Sequence, residues 1–520
     1  MAGSPAKAAA CGGGRALVLQ KGDSVAVAVD ELSPGPVEAL GSAFGACVEA
    51  MERVGPGHKI SLHDIAAGGA VIKYGRSIGI ATRDVAAGSW VHEHNLRSDL
   101  CAAGSYGERV PAYEWTERGH AEALLARCPT SFEGYRRPDG AVGTRNELWV
   151  VPTVGCVNES ARAFADMARV EFNLEAQELE HPFGCSQLGG DLDATRRILA
   201  RLALHPNATA VLVVSLGCEN NRLSDFKAEL EALGSGGRYD PRRFVFLRLQ
   251  DPGDEAEAAR AALRILAPLV ELERRSTLPL SELSLGLKCG GSDGFSGITA
   301  NPLVGTLCDM AVAAGGRAIM TEVPEMFGAE EGLLSRSSSP EVFSSFVAML
   351  QGFKDYYVSH GQEVYENPSP GNRDGGITTL EEKSLGCVRK AGSAPISAVL
   401  PYGGLASVRG LSALSAPGND LVSSTALSAA GANLVLFTTG RGTPYGSVAP
   451  TFKIASNTDL ARRKPLWIDF DAGRVVGGLS FDDLAVELLS EVVATASGRP
   501  TAAERGGHRG IAIFKDGVTL

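Results

Sequence analysis

The sequence has no uninterrupted apolar run near the roughly 18 residues that a membrane helix needs. Its opening, MAGSPAKAAACGGG, lacks the apolar core of a secretory signal and reads as a disordered tail over residues 1–15. Neither a membrane partner nor export is expected, and the expected location is the cytoplasm. There is also no long basic run, and 49 basic against 60 acidic residues leave a net charge of −11. That balance argues against a nucleic-acid partner. No GxxxxGK[ST] occurs, and no GxGxxG follows a strand, so no nucleotide cofactor is expected. The ten cysteines lack the close, regular spacing of a small disulfide scaffold, and no CxxC pair marks a zinc ribbon or a ferredoxin-type cluster. A free thiol is expected at each.

What is present is a chain of 520 residues with 44% hydrophobic content, enough for about three domains at roughly 100 to 200 residues each. Five cysteines follow a glycine or open a glycine run, at Gly155-Cys156, Gly184-Cys185, Gly217-Cys218, Cys289-Gly290 and Gly386-Cys387. At least three sit where an apolar run ends in a loop, the place where an α/β enzyme keeps its chemistry.

A short repeat organises the N-terminal part. Asp64-Ile-Ala-Ala-Gly68 recurs as Asp84-Val-Ala-Ala-Gly88, each copy followed by β-rich sequence. This predicts a compact β module over residues 16–97 with one turn used twice. Residues 98–140, rich in Gly, Pro, Arg and Glu, suit a connector. Beyond them, apolar runs such as Ala210 to Leu216 alternate with helical stretches such as Asp254 to Glu273, which predicts largely parallel sheets covered by helices. A middle α/β domain is expected over 141–395 and a C-terminal one over 396–520.

Four groups of residues can carry chemistry. The cysteine loops offer metal ligands or nucleophiles. His92 and His94, at i and i+2 on a strand, point to one face and can share a metal ion. The stretch Cys289 to Asn301 is a glycine loop in which Asp293, Ser296 and Asn301 can reach polyol hydroxyls, and Glu322 and Glu325 follow a strand as ligand or acid/base candidates. Finally, Lys383 or Lys390, if desolvated, can accept a proton, and Arg441 can clamp a carboxylate.

The strings GHKISLHDIAAGGAVIKYGRSIG, VHEHN, GAVGTRNELWVVPTVGCVN, FGCSQLGGD, LGCENN, CGGSDGFSGITANPLVG, TEVPEMFGAE, GGITTLEEKSLGCVRKAG, SAPGND and FTTGRGTPYG closely resemble the altronate/galactarate dehydratase family of sugar-acid hydro-lyases, over about residues 16–520. The resemblance implies a small N-terminal β-clip domain of the SAF type, a middle domain and a C-terminal α/β domain of Rossmann-like character. It also implies conversion of D-altronate to 2-dehydro-3-deoxy-D-gluconate and water, in the catabolism of galacturonate, with iron(II) or manganese as the metal.

Dehydration across C2 and C3 of a 2-hydroxy acid needs a base for the C2 proton, an acid for the departing hydroxyl and stabilisation of the carboxylate-derived carbanion. On this reading His92 and His94 supply metal ligands together with Cys156, Cys218, Cys289 or a Glu. Lys383 is the expected base with Glu381 competing, and Glu325 is a further catalytic carboxylate. Arg145 or Arg441 clamps the substrate carboxylate, and Asp293, Ser296, Asn301 and Asn367 read hydroxyls. Three alternatives remain open: galactarate or another aldarate as substrate, or a related lyase of the same family that eliminates a group other than water; an iron–sulfur cluster on Cys156, Cys185, Cys218 and Cys289; and a non-catalytic sugar-acid sensor. A homodimer is compatible with any of these.

Overall fold

A computed structural model describes residues 14–41, 47–100, 113–364 and 367–520. Most of the expected tail, and residues 101–112 of the connector, lie outside the described residues. The N-terminal module is all β. Strands Arg15–Leu17, Val25–Ala28, Gly35–Leu40, Cys47–Ala50, Lys59–Ser61 and Trp90–Val91 form one sheet, and Ala70–Lys73, Arg76–Ala81 and Leu96–Arg97 form a second. The sequence repeat becomes a reciprocal clasp. Asp64 accepts the amide of Ala87 and Asp84 accepts the amide of Ala67, each at 2.8 Å, and Ile65 bridges Val85 between them. Gly68 and Gly88 turn the chain at φ +80° and +82°, a conformation that side chains disfavour.

The connector is more structured than its composition suggests. It contains helix Arg118–Leu125 and strand Ser131–Arg136, which pairs with Ser276–Pro279 and Val142–Gly143. Leu124 and Phe132 are buried in the main core, so a few apolar anchors among many polar residues hold the segment in place.

The middle region is a four-stranded parallel sheet in the order Ala176–Glu178, Glu147–Pro152, Ala208–Ser215, Phe244–Arg248. Helices Asn158–Glu171, Gly189–Ala203, Leu223–Leu233 and Glu255–Leu272 connect and cover it, the last close to the expected Asp254 to Glu273. The central strands are largely apolar and buried along their whole length, which is why no period-two alternation is visible in them.

The last sheet has seven parallel strands in the order Ile396–Leu400, Gly410–Leu414, Arg317–Met320, Ser284–Cys289, Leu434–Thr439, Thr451–Ala455, Phe470–Asp471. It draws strands from both sides of residue 395, so the boundary expected there does not separate two domains. Sequence distance conceals this, because Ser284–Cys289 pairs with a strand some 149 residues later, at Leu285↔Leu434. The chain reverses its direction of winding between Ser284–Cys289 and Leu434–Thr439. In a parallel α/β sheet the crevice at the carboxyl ends of such a pair is where ligands bind.

Candidate active site and metal centre

Three short elements meet at that crevice. Cys289 ends strand Ser284–Cys289, Glu325 lies in the single turn Val323–Met326 that follows strand Arg317–Met320, and Cys387 ends helix Leu380–Cys387. Two local devices bring them together. Glu322 adopts a left-handed backbone, φ 71°, at full burial, which swings the chain from strand into turn. Gly297 lies so close to the helix that a Cβ there would stand 2.8 Å from the Cα of Gly386. The glycines of Cys289-Gly-Gly-Ser-Asp-Gly-Phe-Ser-Gly297 are therefore partly a requirement of packing.

The result is a buried set of donors. The sulfurs of Cys289 and Cys387 are 3.2 Å apart, and they lie 3.3 and 3.1 Å from Glu325 Oε2. Their ligand atoms all lie within 4.8 Å of one another, and no other such group of His, Cys, Asp and Glu occurs among the described residues. Two thiols and a carboxylate suit a divalent transition metal better than a hard ion such as magnesium. This triad can hold a metal.

Charged groups surround it. Lys383 Nζ lies 2.8 Å from Glu325 Oε1 and donates to Asn367 Oδ1 at 3.1 Å. Lys390 Nζ donates to the Cys289 sulfur at 3.1 Å and to Glu322. Lys288 pairs with Glu322 and, at 2.9 Å, with Asp420. The three ammonium groups thus balance Glu322, Glu325 and Asp420. A divalent ion that displaced the protons of both thiols would leave that balance unchanged, which removes the usual penalty for burying its charge.

The protonation states follow from this packing. Burial disfavours the charge of Lys383, but Glu325 and Cys387 outweigh it and raise its pKa, so the amine is held as an ammonium. Burial likewise works against ionised Glu325, and Lys383, Lys288 and Lys390 together overcome it and push its pKa down. The Cys387 thiol is pushed well up by its hydrogen bond with Cys289 and by burial. Above the triad opens a cavity of about 480 Å³ whose walls include Gly290, Ser292, Glu325, Tyr357, Asn367, Ser369, Lys383 and Asp420. A larger cavity of about 710 Å³ lies between strand Arg15–Leu17 and helices Arg118–Leu125 and Ala300–Ala313; it contains none of these groups.

Of the residues expected from the sequence, Cys289, Glu325, Lys383 and Asn367 come together here. Others do not. Glu381, two positions from Lys383, turns away and accepts from Ser98 Oγ at 3.0 Å and from the Asp99 amide at 2.9 Å. Arg145 has its carboxylate already: it forks onto Glu504 at 2.7 and 2.9 Å and donates to the carbonyls of Thr144, Thr495 and Arg499. Asp293 accepts from Ser296, Ser456 and Asn457, while Asn301 bonds the Gly386 carbonyl and Thr438. These three expected hydroxyl readers, Asp293, Ser296 and Asn301, spend their polar atoms on the loop and on the segments packed against it. Arg441 is exposed, and its amide bonds the carbonyl of Gly291 at the cavity rim.

The histidines are also elsewhere. His92 stacks on Trp90 with its ring centroid at 5.2 Å, contacts Thr378 Oγ1 through Nδ1 at 2.8 Å, and is pushed down to about 4 by burial and by Lys59. His94 also packs against Trp90, tilted, with ring centroids 5.0 Å apart. Together with His58 they form an aromatic group at the junction between the β module and the C-terminal region, and they do not join the metal-range triad. Nearby, Glu382 receives Lys59 at 2.8 Å and Lys73 at 2.7 Å, all fully buried, and locks the β module onto helix Leu380–Cys387. Cys156 and Cys218 are exposed in the middle region and are not part of the triad either. Seven cysteines are free among the described residues, whereas Cys47 is disulfide-bonded, against the expectation of free thiols throughout.

Sequence reasoning named Glu322 and the Cys387 loop only among general ligand candidates, and it missed Lys288 and Asp420 as members of the site. For Cys387 a signal exists: it stands four residues after Lys383, on the same helical face. Lys288 lies in strand Ser284–Cys289, Glu322 and Asp420 follow strands Arg317–Met320 and Gly410–Leu414, and only the sheet order makes them neighbours.

Family comparisons agree with the fold. The chain matches "Altronate/galactarate dehydratase SAF domain" over residues 14–99, "D-galactarate dehydratase/Altronate hydrolase, second domain" over 134–272 and "D-galactarate/Altronate dehydratase, C-terminal" over 280–519. It is 44% identical over 511 residues to the altronate dehydratase of Bacillus subtilis, covering 96% of this chain and 99% of that protein. It is 46% identical over 503 residues to the altronate dehydratase of Escherichia coli, covering 96% and 98%. The galactarate dehydratase (L-threo-forming) of Escherichia coli is 32% identical over 509 residues, covering 91% and 92%.

Proposed function

The chain belongs to the altronate/galactarate dehydratase family, and from that premise we propose that it is a hydro-lyase that removes water from D-altronate to give 2-dehydro-3-deoxy-D-gluconate, in uronate catabolism. The observation that carries this reading is the Cys289–Glu325–Cys387 triad beneath a polar cavity walled by Lys383, Asn367 and Asp420. Altronate is preferred over an aldarate because the two relatives named for it are 44% and 46% identical, against 32% for the one named for galactarate.

Cys289, Cys387 and Glu325 would hold the ion, iron(II) or manganese on this reading, and two thiolates beside a carboxylate favour iron. When bound, such an ion supplies Lewis acidity at a substrate oxygen. The remaining work falls to the chain's own groups. Lys383, held as an ammonium, has no lone pair with which to take the C2 proton; it suits the opposite task, donating a proton to the departing hydroxyl or neutralising the substrate carboxylate. Asn367 fixes the Lys383 amine and presents its amide to a hydroxyl. Asp420, part exposed on the cavity wall and oriented by Lys288, is the carboxylate placed to take the C2 proton. Closure by the β module through Glu382, Lys59 and Lys73 holds helix Leu380–Cys387, and with it Lys383 and Cys387, in position.

The test is an anaerobic substrate panel of hexonates and aldarates with iron(II) and thiol, scored for 2-keto acid. Altronate should be turned over in preference to galactarate, and Cys387→Ser should lose both bound metal and turnover. Full activity in Cys387→Ser, or no 2-keto acid from any hexonate, would overturn the reading.

A further inference from the structure

Three adjacent strands of the middle sheet each end in the same short pattern: Gly155-Cys156-Val-Asn158, Gly184-Cys185-Ser-Gln187 and Gly217-Cys218-Glu-Asn220. The strands involved, Glu147–Pro152, Ala176–Glu178 and Ala208–Ser215, are parallel neighbours, so all three loops emerge on one edge. They are tied to one another. The Gly155 amide donates to the Phe183 carbonyl at 2.8 Å, the Asn221 amide to the Gly184 carbonyl at 2.8 Å, the Ser186 amide to Asn220 Oδ1 at 2.9 Å, and Asn221 Nδ2 to the Thr153 carbonyl at 3.1 Å. Buried Glu219 braces the Cys218 loop, accepting from Thr153 Oγ1 at 2.7 Å and from the Gly217 amide at 2.6 Å.

The thiols of Cys156, Cys185 and Cys218 are all free and all exposed, although free cysteine is among the most buried of residue types. Helices Asn158–Glu171, Gly189–Ala203 and Leu223–Leu233 begin directly after the three loops, so three positive helix ends face this edge. Gln250 Nε2 donates to the Cys218 sulfur at 3.6 Å. Buried Gln187 leaves its Nε2 without a partner, a donor available to a sulfur ligand. The three sulfurs do not all lie within 4.8 Å of one another, so the trio as it stands does not enclose a single ion.

We propose that Cys156, Cys185 and Cys218 form a three-thiolate site for an iron–sulfur cluster, separate from the buried Cys289–Glu325–Cys387 triad. With three protein thiolates, a four-iron cluster keeps one iron open to an oxygen or nitrogen ligand. The sequence alone could not distinguish this trio from Cys289; the fold does, by placing Cys289 on a different sheet.

The test reads the cofactor directly and so stands apart from the substrate assignment. The full-length apoprotein is incubated anaerobically with ferrous iron and sulfide, then desalted and assayed for iron, acid-labile sulfide, visible absorption and the electron paramagnetic resonance signal after reduction. The wild type should retain about four sulfide and, with one ion at the triad, about five iron per chain, as a [4Fe–4S] cluster beside a mononuclear site requires. Cys156→Ser, Cys185→Ser and Cys218→Ser, each checked for native circular dichroism, should each lose most of the sulfide, while the double variant Cys289→Ser/Cys387→Ser should keep it. Iron without sulfide in the wild type, sulfide unaffected by the three single changes, or sulfide lost in the double variant would each overturn the proposal.

Discussion

Replacing Glu382 by Gln removes the one carboxylate that two buried lysines share. Glu382 is held down to about 2 by Lys59 and Lys73 in spite of its burial, while Lys59 is lowered to about 8, chiefly by burial and in part by Lys73. One negative charge does not fully offset two positive ones, and Lys59 bears the shortfall. Without Glu382, each lysine either remains charged and unpaired, at a cost of about 3 to 5 kcal/mol, or sheds its proton. Shedding sets a ceiling. Starting from the ordinary lysine value of 10.5, neutralising one lysine costs about 4.8 kcal/mol at pH 7 and about 2 kcal/mol at pH 9. The sign follows from linkage: a lysine with a depressed folded pKa binds fewer protons folded than unfolded, so stability is regained as pH rises towards the unfolded value. Glu382→Gln should therefore lower the urea midpoint strongly at pH 7 and clearly less at pH 9. Lys59 retains the Gly376 carbonyl and Thr378 Oγ1 as acceptors, so most of the loss should trace to Lys73, and Lys73→Met should rescue the variant. An equal loss at pH 7 and pH 9, or no rescue, would refute the account of the trio as an undercompensated buried charge.

Further consequences are open to measurement. Lys383→Met should reduce kcat by about 10²- to 10⁴-fold, the range of a general acid, yet leave exchange of the C2 proton in deuterated water intact, whereas Asp420→Asn should abolish that exchange. Arg145→Met strands the buried Glu504 carboxylate and should cost about 3 to 5 kcal/mol of stability with KM unchanged, because Arg145 serves the fold and not the substrate. His92, His181 and His205 are each pushed down to about 4, mainly by burial, so the unfolded chain binds their protons first; stability should fall as pH drops from about 6.5 towards 4, and urea midpoints across that window should show it.

Much of the architecture was written in local patterns. The apolar run at Ala210–Leu216 and the helix at Asp254–Glu273 were legible because buried parallel strands and amphipathic helices each leave a distinct periodicity. The doubled Asp-x-Ala-Ala-Gly turn was legible because glycine and aspartate mark turns chemically. The boundary at 395 was misplaced because strand order within a sheet leaves no local trace. Asp293, Ser296 and Asn301 misled because hydroxyl and amide groups that satisfy a loop look the same, in sequence, as groups that await a ligand. His92 and His94 obeyed the spacing rule for a shared ion, yet Trp90 and Thr378 occupy their rings. Lys383 was found, but its protonation state depends on Glu325, fifty-eight residues away in the chain, and was beyond any local reading.

The lock between the β module and helix Leu380–Cys387 also has a schedule. Lys59 and Glu382 are 323 residues apart. At a synthesis rate of roughly 5 to 20 residues per second, the β module leaves the ribosome roughly 16 to 65 s before its partner carboxylate exists. During that interval Lys59 and Lys73 belong to a finished surface with nothing to seat against. The active-site helix thus arrives late at a socket already built, and a nascent chain can be folded at one end while its catalytic centre has yet to be translated.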